Sequence, residues 1–321
     1  TQKKQEKPKK SASREWLDAI LFAVIAATLI RTFFIEAYTI PTGSMEKSLK
    51  VGDFLFVSKV NYGARIPMTP IAFPFAHHTM PFIGTTAYWD GVQWNYRRLP
   101  GLSNIKRNDA VVFNYPMEAD EPYNRPVDKR ENYIKRCIAI AGDTLKIVNT
   151  QVFVNGKAAE TPLAGETTYV VRTDGTDFNP TALQDLRIEV QRASADEYYF
   201  NMTAEEASTI KKWSNVKLVQ PIIRPVGEYE PQVFPHSPQY KWNEDNFGPL
   251  IVPKKGWTVK LDSTTYPIYE RAIRIYEGNT LQKDGDRYVI NGKTASSYTF
   301  KMDYYWMMGD NRHNSLDSRF W

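Results

Sequence analysis

The longest apolar stretch of the chain lies close to its N-terminus. From Trp16 to Ile35 it runs for 20 residues, and its two charged residues, Asp18 and Arg31, lie near its ends. A helix of this length spans about 30 Å, the thickness of a bilayer core. The pattern predicts one transmembrane helix over residues 15–36. A cleavable signal peptide, a buried amphipathic helix and an in-plane interfacial helix are the alternatives, although no clear A-x-A cleavage site follows the run.

Beyond residue 37 the apolar residues come in short alternating runs separated by turn residues, which is the pattern of β-strands. Predicted strands lie at Phe54–Val57, Ala110–Phe113, Tyr133–Ile140, Thr144–Val148 and Gln151–Val154. The sequence therefore predicts a mainly β fold, built from antiparallel strands, after the N-terminal helix.

One pattern occurs twice in the chain. Residues 142–157 (GDTLKIVNTQVFVNGK) resemble residues 278–293 (GNTLQKDGDRYVINGK), and each contains an Asn-Gly pair, which is a strong signal for a tight turn. Because a solenoid needs more repeats than two, we expect two β-hairpins of similar build.

Two segments differ in composition from these strands and are predicted to be insertions. Residues 63–105 are rich in Pro, Phe, Trp and Tyr, whereas residues 158–250 are more polar and include a helical pattern at Thr203–Trp213. The prediction is a β core formed by residues 37–157 and 251–321, with a partly α/β subdomain inserted at 158–250.

The net charge of +5 suggests at first a protein that binds nucleic acid. Residues 1–14, however, contain six of the 41 basic residues and one of the 36 acidic residues, so they hold the whole excess. The other residues have 35 charges of each sign, which argues against a basic nucleic-acid surface. Since the basic tail flanks one end of the apolar helix and Glu36 the other, the positive-inside rule predicts a cytoplasmic tail at 1–14 and an extracytoplasmic chain after Ile35.

The residue types that usually hold metals are few. Cys137 is the only cysteine, which excludes an intrachain disulfide and a cysteine-based zinc site. The acidic residues near the C-terminus lack the spacing of an EF-hand, so the sequence predicts no metal site. The chain begins with Thr1 and not Met, and we therefore expect a fragment or a processed form.

Ser44 is a candidate nucleophile. It lies in the segment IPTGSM (residues 40–45), where a proline turn and a glycine can present its hydroxyl, although a turn or N-cap serine is the alternative. A serine nucleophile needs a base within hydrogen-bond reach. The four histidines are His77, His78, His236 and His313. Only the last of them lies outside the insertions and could complete a Ser-His-Asp triad.

Lys135 is the other candidate base. In the segment YIKRCI the alternation of a strand places Tyr133, Lys135 and Cys137 on one face. A lysine among apolar neighbours is costly to charge, which lowers its pKa and favours the neutral amine that a base requires. The alternative is an edge-strand lysine that prevents further strand pairing.

The chain ends in a dense polar run, GDNRHNSLDSRFW (residues 309–321). It is too polar for a strand and too irregular for a helix face. We expect a loop held by its own hydrogen bonds and ion pairs, such as Asp317 with Arg319 or Asp310 with Arg312.

Taken in order, the basic tail, the single anchor, IPTGSM, YIKR followed by Gly-Asp, and GDNRHNSLDSRFW resemble the bacterial type I signal peptidases. These are membrane-bound Ser/Lys proteases that remove signal peptides. The resemblance covers residues 14–62, 106–157 and 297–321, and the two insertions match the family only in position. The ordered set is far more specific than any one of its motifs.

The resemblance implies a role for each matching residue. Ser44 corresponds to the nucleophile and Lys135 to the general base. The Thr42 hydroxyl would complete an oxyanion hole with the Ser44 N–H, and Ser315 would orient the lysine. The residues expected to support the site structurally are Gly309, Asp310, Asn311, Arg312, Asp317, Ser318 and Arg319. Tyr133 and Asp143 fall on motif positions without a defined chemical role.

The resemblance also implies a setting. The expected enzyme is a serine endopeptidase without a metal or organic cofactor, single-pass in the bacterial cytoplasmic (inner) membrane, with a periplasmic catalytic domain truncated at Trp321. Its expected partners are preprotein signal peptides with small residues at the first and third positions before the cut, the lipid bilayer and possible export machinery, but no nucleic acid. Trp89 and Trp94 could add an interfacial surface. A Ser-His hydrolase using His313 and a non-catalytic secretion scaffold are the alternatives.

Overall fold

The structure is a computed structural model, and it describes residues 11–160, 162 and 164–321. Most of the predicted cytoplasmic tail, residues 1–10, lies outside the described residues. The α-helices are α1 (Ala12–Phe33), α2 (Pro180–Leu186), α3 (Ala204–Ile210) and α4 (Tyr266–Arg271), and α4 continues as a π-helical turn at Ala272–Tyr276. Short 3-10 turns lie at Gly43–Met45, Pro116–Ala119 and Val127–Lys129.

The strands are β1 (Ile35–Thr39), β2 (Phe54–Ser58), β3 (Ala110–Asn114), β4 (Asn132–Ala139), β5 (Thr144–Val148), β6 (Gln151–Val154), β7 (Lys157–Ala158), β8 (Glu166–Thr173), β9 (Glu189–Arg192), β10 (Glu197–Thr203), β11 (Val216–Pro221), β12 (Phe247–Ile251), β13 (Thr258–Lys260), β14 (Leu281–Asp284), β15 (Arg287–Ile290), β16 (Lys293–Ala295), β17 (Ser297–Thr299) and β18 (Trp306–Met308). The five strands predicted from the sequence are β2 to β6, and their ends shift by at most one residue.

The chain forms two compact units, of which the first comprises residues 11–38, 54–104 and 125–130. Among the described helices, only α1 is long and apolar enough to cross a membrane, and none of its residues is buried in the protein. The helix ends before the predicted boundary at residue 36 because β1 begins at Ile35 and pairs with β2. Just beyond α1, the carboxylate of Glu36 pairs with Arg31 and Lys59, each at 2.6 Å.

The aromatic segment at residues 63–105 also belongs to this unit. It contains no regular helix or strand, but isolated β-bridges such as Ala72 with Tyr88 order it. Asp128 accepts hydrogen bonds from the backbone N–H groups of Met68 and Thr69. Trp89 and Trp94 are 56% and 52% exposed, so their rings lie on the surface of this unit.

The second unit comprises residues 39–53, 105–124 and 131–321, and it contains most of the sheets. Their strand orders are β18-β4-β3, β12-β5-β6-β7, β11-β8-β10-β9, β14-β15-β16 and β13-β17. The strands of these sheets pair antiparallel, which confirms the predicted mainly β fold. The main core of the unit includes Leu145, Phe247, Phe300 and Met308, each at most 1% exposed.

Strand β4 is the central strand of its three-stranded sheet. Lys135 lies opposite Val111 of β3, and Arg136 lies opposite Met308 of β18. Lys135 and Cys137, two positions apart in this strand, are 4% and 0% exposed, but Ile138 on the predicted opposite face is 5% exposed, so both faces of β4 are buried at this end. The alternative of an edge-strand lysine is therefore wrong, since β4 has a partner on both sides.

The repeated pattern forms two similar hairpins, as predicted. In the first, Asn155 follows β6, has a φ of 52°, and accepts the Thr144 N–H through its side chain. In the second, Asn291 follows β15, has a φ of 48°, and accepts the Thr280 N–H in the same way. Asn tolerates this left-handed conformation better than most residues, which explains why the sequence has it at both turns.

The predicted insertion at 158–250 contains β8 to β11 together with α2 and α3. These elements share a separate apolar cluster around Val171, Phe200 and Ile210, each 0% exposed. The helix predicted at Thr203–Trp213 is shorter and runs over Ala204–Ile210. It begins after the N-cap Thr203, where Glu206 completes a capping box, and it ends at the C-cap Lys211, after which the chain turns. The domain boundaries at residues 158 and 250 stay predictions.

Candidate active site

The structure brings Ser44 and Lys135 together, although they are 91 positions apart in the chain. Lys135 Nζ lies 2.6 Å from Ser44 Oγ. Ser44 is 8% exposed and Lys135 is 4% exposed, so both groups are largely screened from water. A hydroxyl and an amine at this distance can exchange a proton directly.

The surroundings of Lys135 favour its neutral form. Burial lowers the pKa of the Lys135 ammonium below its ordinary value, and the negative charges of Asp317 and Asp310 offset part of that effect. Nζ also lies 5.5 Å from the ring centroid of Tyr133, which is stacked on Tyr115 with 4.3 Å between centroids. A cation is attracted to an aromatic face, so this contact opposes part of the effect of burial. A lowered pKa leaves more of the amine able to accept a proton near neutral pH.

The backbone around Ser44 is held by the loop that follows β18. Ser44 lies in the 3-10 turn Gly43–Met45, and its carbonyl oxygen accepts the Asn311 N–H at 3.1 Å. At Gly309 a Cβ would lie 2.5 Å from that same carbonyl oxygen and 2.2 Å from Ser315 Oγ. Position 309 therefore needs glycine because the two loops approach too closely for a side chain.

Asp310 connects this loop to β4. Its fully buried carboxylate accepts hydrogen bonds from Arg136 Nε at 2.8 Å, from Arg136 Nη2 at 2.5 Å and from Ser48 Oγ at 2.5 Å. The predicted pair of Asp310 with Arg312 is wrong, because Arg136 of the neighbouring strand β4 binds the Asp310 carboxylate instead. Arg312 forms no ion pair among the described residues; burial and the positive charge of Arg319 lower its pKa to about 10.

The predicted pair of Asp317 and Arg319 is present and is bidentate, with both nitrogen–oxygen distances at 2.9 Å. The two side chains are 0% and 1% exposed. Burial alone would raise the pKa of Asp317, but the Arg319 guanidinium and the Gly309 N–H hold it below its ordinary value. Ser318 Oγ accepts the Met307 N–H, so this segment fixes the end of β18 beside Ser44.

Two other residues to which the resemblance assigns a role, Ser315 and Thr42, form no side-chain hydrogen bond to Lys135 or Ser44 among the described residues. Ser315 Oγ is buried and forms no hydrogen bond of standard geometry among the described residues, so the implied bond to Lys135 is not formed in this structure. Its hydroxyl nevertheless lies near enough to the Asp317 carboxylate to help lower the pKa of that group. Thr42 is exposed and extended, with φ −136° and ψ 154°, and its side chain does not cap the turn that follows. The orienting role of Ser315 and the oxyanion role of Thr42 stay predictions.

The histidine alternative finds no geometric support. His313 Nδ1 accepts the Thr168 N–H at 3.1 Å, and Nε2 lies 2.8 Å from Asp245 Oδ1. Nδ1 is therefore the acceptor, so Nε2 carries the proton and donates it to Asp245. The same histidine belongs to a cluster that could hold a metal ion by distance alone, since ligand atoms of His313, Asp245 and Glu244 lie within 4.8 Å of one another. A metal on His313 Nε2 would displace the proton from that nitrogen and place it on Nδ1, which would then face the Thr168 N–H as a second donor. The hydrogen bonds of His313 therefore oppose metal binding.

Other residues singled out in the sequence have structural surroundings. Asp143 accepts hydrogen bonds from Arg107 and from Asn155, which supports the turn after β4. Cys137 is fully buried, and burial raises the pKa of its thiol to about 12. Sequence reasoning did not single out Lys47 or Glu166, which contact the turn after Ser44 and the loop after β18, because neither residue belongs to a recognisable motif.

Comparison with known proteins agrees with the resemblance. The family described as "Signal peptidase, peptidase S26" matches residues 13–209 and 258–321. A protein named signal peptidase I from Pseudomonas aeruginosa is 30% identical over 148 residues, which are 46% of this chain and 38% of that protein. Its namesake from Bacillus amyloliquefaciens is 27% identical over 186 residues, 57% of this chain and 73% of that protein. The matched part of the chain thus spans well under half of the Pseudomonas relative. The family match nevertheless includes the segments that contain Ser44 and Lys135 and the loop after β18. The chain belongs to the signal peptidase family, peptidase S26.

Proposed function

We propose that this chain is a membrane-anchored serine endopeptidase that removes signal peptides from exported preproteins, as the name signal peptidase I states for its relatives. The observation that carries the proposal is the 2.6 Å contact between Lys135 Nζ and Ser44 Oγ in a buried setting. A serine becomes nucleophilic only with a base in reach, and among the described residues Lys135 is a base within hydrogen-bond distance of Ser44 Oγ.

In the proposed reaction, the neutral amine of Lys135 accepts the hydroxyl proton as Ser44 Oγ attacks the scissile carbonyl. The Ser44 N–H lies in the first turn of a 3-10 helix, where backbone N–H groups lack an intrahelical acceptor, so it can donate to the oxyanion. The exposed Thr42 hydroxyl would be the second donor. Lys135 then protonates the leaving amine, and water hydrolyses the acyl-enzyme after giving its proton to the same lysine.

The proposed substrate binds as an extended strand with small side chains at the first and third positions before the cut, since shallow pockets reject large ones. We assign its binding to the second unit, which contains both proposed catalytic residues. This specificity comes from the family resemblance.

The proposed location is the bacterial cytoplasmic membrane, with the proteolytic part on the periplasmic side. Helix α1 supports an anchor by its length and its exposed apolar surface, and the basic tail supports the orientation. The exposed rings of Trp89 and Trp94 support a contact with the lipid interface. Export machinery would deliver the preprotein to the same membrane face.

The test is cleavage of a preprotein by the purified chain in detergent, with the product identified by its mass. Ser44→Ala and Lys135→Ala should abolish cleavage, and so should Lys135→Arg, because an arginine stays protonated at any workable pH. His313→Ala should retain activity. Loss of activity in Ser44→Ala and His313→Ala, with activity retained in the Lys135 variants, would favour the Ser-His alternative. A wild-type chain that binds preproteins without cutting them would favour the scaffold.

A further inference from the structure

Lys47, three residues after Ser44, binds three acceptors at once. Its Nζ donates to the backbone oxygens of Leu186 and Arg187 at 2.7 and 2.9 Å, and to Glu206 Oε1 at 2.8 Å. An ammonium has three donors, so all of them are used. The Lys47 side chain is only 14% exposed, which makes these bonds stronger than those of a surface lysine.

The acceptors belong to the predicted insertion, and two helix ends supply them. Leu186 and Arg187 lie at the carboxyl end of α2, where carbonyl groups lack intrahelical partners and a cation is favourable. Glu206 lies in the first turn of α3, where its Oε2 accepts the Thr203 N–H of the capping box. Its Oε1 remains for Lys47, so one carboxylate serves both contacts.

The backbone conformation of Lys47 shows why the three hydrogen bonds of its side chain matter locally. Lys47 has a φ of 65°, a left-handed conformation that is unfavourable for a residue with a Cβ. Such a conformation persists where surrounding contacts determine it. The N–H groups of Ser48 and Leu49 both donate to the Met45 oxygen, which makes this a compact turn directly after the nucleophile.

The insertion also contacts the other loop of the site. Glu166, the first residue of β8, forms two backbone hydrogen bonds to this loop, both at 2.9 Å. Its N–H donates to the backbone oxygen of Asp310, and its backbone oxygen accepts the N–H of Arg312. Lys47 Nζ lies 3.9 Å from Glu166 Oε1. The same segment of the chain thus holds the turn after Ser44 and the loop that approaches Ser44 at Gly309.

We propose that Lys47 is a positioning residue for Ser44, and that the insertion, predicted from the sequence to be non-catalytic, clamps the nucleophile turn through it. The inference rests on the proposed protease function for its kinetic consequence, whereas the clamp itself can be measured without activity. Lys47 acts through the backbone of residues 44–48 and touches no reacting atom. Its loss should therefore lower kcat and leave KM nearly unchanged.

The experiment uses the full chain in detergent and four variants. Lys47→Met keeps the length of the side chain and removes its donors, Lys47→Arg keeps the charge, and Glu206→Gln weakens the pair while it retains an acceptor. Lys50→Met is the matched control in the same loop, because Lys50 contacts Asp53 through its backbone N–H rather than its side chain. Hydrogen exchange at the Ser48 and Leu49 amides and cleavage kinetics are measured for each.

Lys47→Met should speed exchange at both amides at least about tenfold and lower kcat by about 10- to 100-fold with KM within about twofold, since misplacement by about 1 Å has effects of this size. Lys47→Arg should recover most of the loss, Glu206→Gln should show a smaller change in the same direction, and Lys50→Met should match wild type. Unchanged exchange and kcat in Lys47→Met, or in Glu206→Gln if Lys47→Met does not fold, would overturn the clamp. If the wild type itself does not cleave, the proposed function fails, and the exchange data still decide the clamp.

Discussion

Gly309→Ala tests how tightly the loop after β18 holds Ser44, the proposed nucleophile. The substitution adds one methyl group and keeps the backbone conformation accessible, because Gly309 is not among the glycines with a positive φ. The new Cβ would lie 2.2 Å from Ser315 Oγ and 2.5 Å from the Ser44 carbonyl oxygen. The Ser315 hydroxyl can rotate away, but Ser315 Cβ would also lie 2.5 Å from the new methyl group. That contact and the contact with the Ser44 backbone can be relieved only by a shift of the loops.

The size of that shift sets the expected effect. An ordinary contact begins at 3.4 Å, so the Ser44 backbone and residue 309 must separate by about 0.9 Å. A displacement of about 1 Å at a reacting group lowers rates by roughly 100-fold. If the two loops share the movement, Ser44 shifts less, and we expect kcat/KM to fall by about 10- to 100-fold, or about 1.4–2.7 kcal/mol of transition-state stabilisation.

The assay is preprotein cleavage, with the free energy of unfolding measured in parallel to confirm that the variant folds. Gly43→Ala is the matched control: it lies next to Ser44, but its added Cβ would meet only Asn314 and Glu46 side-chain atoms, both at 3.7 Å. It should retain activity within about threefold. A folded Gly309→Ala variant with wild-type kcat/KM, or equal losses in both variants, would refute the reasoning.

Three further predictions concern two buried features, the Asp317–Arg319 pair and Cys137. Asp317→Ala leaves the Arg319 guanidinium buried without its partner, and urea unfolding should show a loss of about 3–5 kcal/mol; a loss below about 1 kcal/mol would contradict the buried pair. The pKa of Asp317 is held below its ordinary value in the folded chain. Its ionised carboxylate therefore stabilises the fold above the pKa that Asp317 has in the unfolded chain, and this stabilisation is lost as the pH falls through the pKa in the folded chain. The free energy of unfolding should consequently depend less on acidic pH in Asp317→Asn. Cys137, with its thiol pKa raised to about 12, should resist thiol reagents at pH 8 until the chain is unfolded, and rapid labelling of the native chain would contradict its burial.

The elements that depend on local pattern were predictable from the sequence. Alternation located β2 to β6, and the two Asn-Gly pairs located the turns of both hairpins, because neighbouring residues decide both features. The partner of Arg319 was also predictable, since Asp317 is only two residues away. The family resemblance, rather than spacing, was needed to select Ser44 and Lys135 as a pair.

Contacts between distant segments were not predictable in the same way. Asp310 has an arginine two residues away, yet it binds Arg136, which the pairing of β4 with β18 places beside it. Local spacing favoured Arg312, but tertiary pairing decided the outcome. Lys47 gave no signal at all, because its acceptors on α2 and α3 lie more than a hundred residues further along the chain.

These pairs have an electrostatic consequence for the proposed base. Asp310 and Asp317 are the two negative charges that raise the pKa of Lys135, against the effect of burial. Each is already neutralised by a bidentate arginine, Asp310 by Arg136 and Asp317 by Arg319. A nearby opposite charge partly cancels the field of a carboxylate at a third group, and in a dry interior that field is otherwise strong. Without the two arginines the carboxylates would favour the charged ammonium, so the arginines support a neutral Lys135 as well as the shape of the loop.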